Sequence, residues 1–265
     1  MDKTIELVNN VKDIQAMPSI IVKVLNVMKK TTVSMKEIGN LLMYDQSLTI
    51  KVLALVNSAY YGFSQQISSI SIALSLLGMV KVKNIIVAVA MKPMMSGAGD
   101  KELWKHSIKV AVGCEYLAKL TNIMDADEAF ISGFIHDIGK MVLNMTNPKM
   151  YEKVMEIAHQ GHDILEVEKK YFDSDHVRTG SLLAKRWQLP ILLANIVSYH
   201  HAPSLSSIPV PCNLVCAIDK LMQENFNPNL LDKDFLKTMG IDIEDVEDLR
   251  NAVLQKANML IAELT

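Results

Sequence analysis

The sequence has no apolar run approaching the roughly 20 residues needed to cross a bilayer; Ile85–Ala90, for example, is far too short. It opens Met1-Asp2-Lys3-Thr4 without an apolar leader, so a cytoplasmic location is expected and no membrane partner. Cysteine is scarce: three residues, none in a Cys-x-x-Cys pair, which suits a reducing compartment rather than a disulfide framework. Neither charge sign dominates. With 27 basic and 29 acidic residues the formal charge is −2, which gives no electrostatic case for a nucleic-acid partner. The acidic stretch Asp242–Asp248 weakens that case further. No run of alternating polarity, internal repeat or low-complexity segment is visible. What is there is a globular composition, half hydrophobic and 21% charged over 265 residues, enough to bury a substantial core.

Helical periodicity runs along almost the whole chain, so the fold class is all-α. Ile20, Val24, Val27 and Met28 follow Pro18, a residue suited to a first helical turn. Ser34-Met35-Lys36-Glu37 reads as a capping box. Asp45 is placed to cap a helix carrying Leu48, Val52, Leu55 and Val56, broken at Tyr60-Tyr61-Gly62-Phe63. Ser69 starts a helix that Gly78 ends, and an apolar helix from Lys81 to Met91 runs up to Pro93. Ser96-Gly97-Ala98-Gly99-Asp100 is the best internal boundary, dividing 1–97 from 98–265. Helices are then expected at Glu102–Leu120, at Asp127–Met145 with Asp125 or Asp127 as cap, and at Tyr151–Gln160 and Ile164–Tyr171. Further helices follow at Asp175–Gln188, Ile191–His200, Cys212–Gln223 and Glu244–Leu264, with a three-proline loop from Pro203 to Pro211. Ser71–Ala90 has a helix-Gly-helix outline, but its second helix is too apolar for a DNA groove and reads as core.

The chemistry concentrates in Phe134-Ile135-His136-Asp137-Ile138-Gly139-Lys140. An imidazole beside a carboxylate in an apolar run would cost several kcal/mol if left unpaired. A metal ion compensates both groups, since each is a good ligand for Zn, Fe, Mn or Ni; a hydrogen-bonded pair without metal is the competing reading. His106 follows Trp104 on a helix and could equally be a packed core histidine. His176 lies in a first turn after Asp173-Ser174-Asp175, where a polar residue needs no other role. His200 and His201 sit at a helix C-terminus, which favours a cation in any case. Asp219 is a lone carboxylate in Leu214–Lys220, with an ion pair near Lys220 as its alternative. His…His-Asp…Asp on packed helices is how a bundle assembles a metal centre. Lys140, three residues after Asp137, would face an anionic oxygen bound there. His159 and His162 flank Gly161 in a polar segment and read as exposed; Cys212 and Cys216 read as buried thiols, and the 17 methionines as adaptable packing.

These residues resemble a known family. His106, His136-Asp137 and Asp219 match the order of the HD superfamily of metal-dependent phosphohydrolases, and His176 with Gly180 and His200-His201 match the extra ligands of its binuclear HD-GYP-like branch. The surroundings are similar to the HDOD family specifically: Met17-Pro18, Asp45-Gln46-Ser47-Leu48, Val56–Gly62, Ser71–Gly78, Trp104–Ser107, Gly133–Gly139 and Trp187-Gln188-Leu189-Pro190. The match covers about residues 12 to 220. It implies an HD-like helical bundle packed on an N-terminal helical part. It also implies one or two divalent transition-metal ions held by His106, His136, Asp137, His176, His200, His201 and Asp219. The role implied is bacterial signalling or regulation, with protein partners. The alternative is a phosphohydrolase acting on a nucleotide or phosphorylated small molecule, with Asp137 bridging two ions and Lys140 neutralising the phosphate. In that case the metal would lower the pKa of a bound water and polarise a phosphoryl oxygen. A scaffold with a vestigial site is the third reading. After His201 the chain reads Ala202-Pro203-Ser204-Leu205-Ser206 and lacks the Gly-Tyr-Pro motif, so the resemblance does not extend to cyclic-dinucleotide hydrolysis. No companion domain is expected in this chain.

Overall fold

Helix follows helix in the computed structural model, which describes residues 2–11, 46–58, 60–96 and 102–264, and no strand occurs among them. The helix expected after Pro18, the capping box at Ser34, the cap Asp45 and the boundary residues 97–100 lie outside the described residues. The described helices are α1 (Lys3–Asn10), α2 (Gln46–Val56), α3 (Ile70–Leu77), α4 (Met79–Met95) and α5 (Glu102–Thr121). The chain continues through α6 (Ala126–Ile135), α7 (Ile138–Thr146), α8 (Pro148–His159), α9 (Ile164–Phe172) and α10 (His176–Arg186). It closes with α11 (Ile191–Tyr199), α12 (Pro209–Met222), α13 (Lys233–Thr238) and α14 (Val246–Leu264).

Short polar side chains set many of the helix starts by accepting from orphan backbone N–H groups. Ser69 accepts from Ile72, Asp125 from Asp127 and Glu128, Asn147 from Met150, Asp163 from Glu166, and Asp175 from Arg178. Gly78, with φ +82°, ends α3 in a conformation that a side chain would strain.

Three expectations are corrected. The helix expected over Asp127–Met145 is two helices, α6 and α7, divided at His136-Asp137. The helix expected to stop before Pro93 continues to Met95, because Pro93 falls in the last turns, where losing one N–H leaves most of the ladder intact. The loop expected through Pro211 ends earlier: Pro209 opens α12, its fixed φ suiting a first turn.

α5 lies at the centre of the fold. One side buries Trp104, Ile108 and Ala111 in a large core shared with α2, α4, α6, α10 and α11; the other buries Val110, Cys114 and Leu117 against α12 and α14. A helix apolar on nearly all sides must sit between layers. Trp104 is almost wholly buried and donates from Nε1 to the Ala88 carbonyl at 3.1 Å, pinning α5 to α4. The larger core joins residues on both sides of the expected boundary at 97, Val52 and Ile86 with Phe134 and Leu193. Glycine permits the closest crossings. A Cβ on Gly133 would stand 2.8 Å from the Val110 carbonyl oxygen, so only glycine lets α6 lie this close to α5.

Candidate metal centre

The break between α6 and α7 creates the centre. His136 ends α6 with helical dihedrals, and Asp137 (φ −98°, ψ 18°) starts α7. A continuous helix would turn these neighbours about 100° apart; the break lets both side chains face the same buried space, and each is 0% exposed. α5 brings His106, α10 opens with His176, α11 ends at His200 with His201 following, and α12 carries Asp219.

All seven residues implied as ligands converge. Two groups of four form, His106, His136, Asp137 and Asp219 in one, Asp137, His176, His200 and His201 in the other. Within each group one ligand atom per residue lies within 4.8 Å of every other. Asp137 belongs to both through different oxygens. Its Oδ2 lies 3.1 Å from His136 Nε2 and 3.7 Å from His106 Nε2. Its Oδ1 lies 3.3 Å from His176 Nε2 and 3.6 Å from His200 Nε2. Asp219 Oδ1 completes the first group, 2.9 Å from His106 Nε2 and 3.5 Å from His136 Nε2. His201 Nε2 completes the second, 3.0 Å from His176 Nε2.

The outer nitrogens of the buried histidines are anchored. Nδ1 of His136 donates to the Gly133 carbonyl at 2.7 Å, and Nδ1 of His200 donates to the Ile196 carbonyl at 3.0 Å. A neutral imidazole protonated on Nδ1 presents a lone pair on Nε2. In that neutral form lone pairs face carboxylate oxygens, acceptor against acceptor, unless a proton or another cation comes between them. Accordingly His136 Nε2, His200 Nε2 and both Asp137 oxygens are buried and make no hydrogen bond among the described residues, though each stands at ion-pairing distance from its neighbours. Buried polar atoms in this state call for a cation. Imidazole nitrogens and carboxylate oxygens at these separations fit a divalent transition metal, whose bonds to such ligands are about 2.0–2.2 Å.

The electrostatics show the same demand for positive charge. Burial opposes ionisation of His136, but Asp137 and Asp219 outweigh it and raise its pKa to about 10. Burial likewise resists charge on Asp137 and Asp219; the surrounding imidazoles, with Lys140 beside Asp137, hold both well below the usual carboxylate range. His200 and His201 shift the other way: burial lowers both, His201 to about 2, with neighbouring imidazoles adding to it. Both imidazoles are therefore held neutral. Lys140 Nζ lies 2.6 Å from Asp137 Oδ2; burial works against its charge, and Asp137, Asp219 and Glu168 more than offset that.

The geometry bears on the alternatives weighed for His106 and Asp219. His106 is not a sealed core histidine, with 23% of its side chain exposed, and Asp219 faces His106 and His136 rather than the surroundings of Lys220. His159 and His162 are exposed, and Cys212 and Cys216 belong to neither ligand group. One participant escaped sequence reasoning, Glu168. It is 0% exposed, and its Oε2 lies 2.7 Å from His176 Nδ1. In the charged run Glu166–Lys170 nothing distinguishes it from Glu166, which is exposed; only its spacing beside Val167 on the inner face of α9 could have signalled it.

An all-helical protein with a buried His/Asp centre, built from the broken α6–α7 pair and its neighbours, is thus the class defined. The HDOD domain model matches residues 14–203, and the chain belongs to that family. Asp219 lies beyond the matched residues, yet the fold returns it to the centre. The chain is 28% identical over 200 residues to an uncharacterized protein of Treponema pallidum (strain Nichols), covering 74% of this chain and 39% of that protein, so it spans well under half of that relative. Two crystal structures share the fold. A protein of Marinobacter aquaeolei VT8 provisionally named for signal transduction has a TM-score of 0.81 at 16% identity, covering 99% of this chain and 64% of the other. A provisionally named phosphohydrolase of Shewanella amazonensis SB2B has a TM-score of 0.76 at 21% identity, with 98% of each chain covered.

Proposed function

We propose that this chain is a cytoplasmic bacterial signalling or regulatory module whose His/Asp centre binds divalent transition metal, with room in its ligand set for two ions. Fe, Mn, Ni and Zn all suit the donors. The observation that carries this reading is Asp137, whose two oxygens face separate groups of donors. His106, His136, Asp219 and Asp137 Oδ2 would hold one ion; His176, His200, His201 and Asp137 Oδ1 would hold the other.

Enclosure supports regulation over turnover. His136, Asp137, His176, His200 and Asp219 are buried, so approach is limited to the edge where His106, His201 and Lys140 retain some exposure. A metal site closed by protein ligands holds structure or senses the ion, whereas a catalytic one keeps an open position. Regulatory protein partners are the class of partner that this reading implies.

One observation favours a second reading. Lys140 Nζ stands 2.6 Å from Asp137 Oδ2, at the exposed edge, where it could meet an anionic oxygen. That supports a phosphohydrolase acting on a nucleotide or phosphorylated small molecule. Bound metal would supply Lewis-acid polarisation of the phosphoryl group. Lys140 would orient the substrate's charge, and His106 and His201 would border its entry.

A phosphodiesterase and nucleotidase panel with Mn, Fe or Ni, run on protein purified without chelators, separates the two. The regulatory reading predicts stoichiometric metal and no turnover above that of the His136→Ala/Asp137→Ala double variant. Turnover abolished by that double variant and by Lys140→Ala would establish the second reading instead.

A further inference from the structure

Glu168 lies on α9, outside both groups of candidate ligands, in a helix whose other acidic residue, Glu166, turns outward to pair with Lys169 at 3.0 Å. Glu168 turns inward and is completely buried. Its Oε2 accepts from the backbone N–H of His176 at 2.7 Å and lies 2.7 Å from His176 Nδ1. Its Oε1 accepts from the Tyr151 hydroxyl at 3.3 Å. One oxygen thus holds His176 at two points, main chain and ring, while a tyrosine holds the other oxygen.

We propose that Glu168 is the positioning residue of the second half of the centre, fixing His176 with its proton on Nδ1 and its Nε2 lone pair directed at Asp137 Oδ1 and His201. This rests on the metal-binding reading given above. His136 and His200 are held by backbone carbonyls, so a buried anion serves His176 alone among the three. A carboxylate on the outer nitrogen makes an imidazole a stronger donor and fixes its orientation, and loss of such an outer partner typically weakens metal binding about 10–100-fold. The two halves of the centre therefore differ in what supports them. The group with His106 and Asp219 has a second carboxylate as a direct ligand; the group with His200 and His201 takes its second negative charge indirectly, through Glu168.

Titration with Zn or Mn, followed by calorimetry and metal analysis, tests this in Glu168→Gln, which keeps the size and one acceptor but removes the charge. The variant should bind one ion as the wild type does and the second about 10–100-fold more weakly. Tyr151→Phe, which removes the bond to Oε1 and spares the Oε2 bonds to His176, should keep both affinities. Nitrogen-15 spectra of the imidazoles in the metal-loaded wild type need no variant, and should show His176 protonated on Nδ1. Two ions bound at wild-type affinity by Glu168→Gln, or His176 protonated on Nε2, would overturn the role of Glu168 while leaving the metal centre standing. Equal weakening of both ions would mark Glu168 as part of the general packing and also overturn it. A wild type that binds no metal would overturn the centre itself, and this role with it.

Discussion

Gly139 and His176 meet where α7 crosses α10, so closely that a Cβ on Gly139 would run into the His176 carbonyl oxygen and lie 2.7 Å from the amide nitrogen of Gly180. The obstructing atoms are backbone, which cannot rotate aside. Gly139→Ala should therefore push α10 away and carry the His176 ring with it. Overpacking of this kind costs about 1–3 kcal/mol. Urea denaturation should show that loss, and metal titration should show a weakened second half of the centre. Wild-type affinity together with wild-type stability would contradict so tight a contact.

Glu115 is buried on α5 with Lys81 at 2.7 Å and Lys119 at 2.5 Å. Burial disfavours its charge most, but the two ammonium groups outweigh that and lower its pKa below the usual 4.5. A carboxylate depressed on folding stabilises fully above its unfolded pKa, and the contribution fades as pH falls through the folded value. Glu115→Gln should lose about 2 kcal/mol at pH 7, less than a sealed pair would because Lys81 keeps 24% side-chain exposure. Below about pH 4.5 the gap between wild type and variant should close. Urea midpoints across that range measure it; a gap that widens on acidification would contradict the pairing.

Asp219 serves only the group containing His106 and His136. Asp219→Asn should weaken that ion by more than the roughly 10–100-fold that loss of an outer-shell partner costs, and should leave the ion near His176, His200 and His201 in place. Metal titration distinguishes this from joint loss of both ions, which would mean that the two groups are not separable.

Much of this was legible in the chain. Periodicity and capping residues such as Ser69, Asp125 and Asp175 marked helices close to where they lie, because each rests on contacts within a few residues. All seven implied ligands meet. The break at His136-Asp137 was hidden, since an apolar run on both sides reads as one helix; the crossing partners of α6 and α7, through Gly133 and Gly139, are set by tertiary packing. Glu168 was hidden for a similar reason. Inward and outward glutamates on a charged helix differ only in what the rest of the fold brings to them.

Metal content is the most direct measurement of the central claim. The wild type, purified without chelators and then equilibrated with Mn, Fe, Ni or Zn, should carry one to two transition-metal ions per chain, and the His136→Ala/Asp137→Ala double variant, provided it is folded by circular dichroism, should carry essentially none. A wild type with no more metal than the folded double variant would contradict the assignment of this centre.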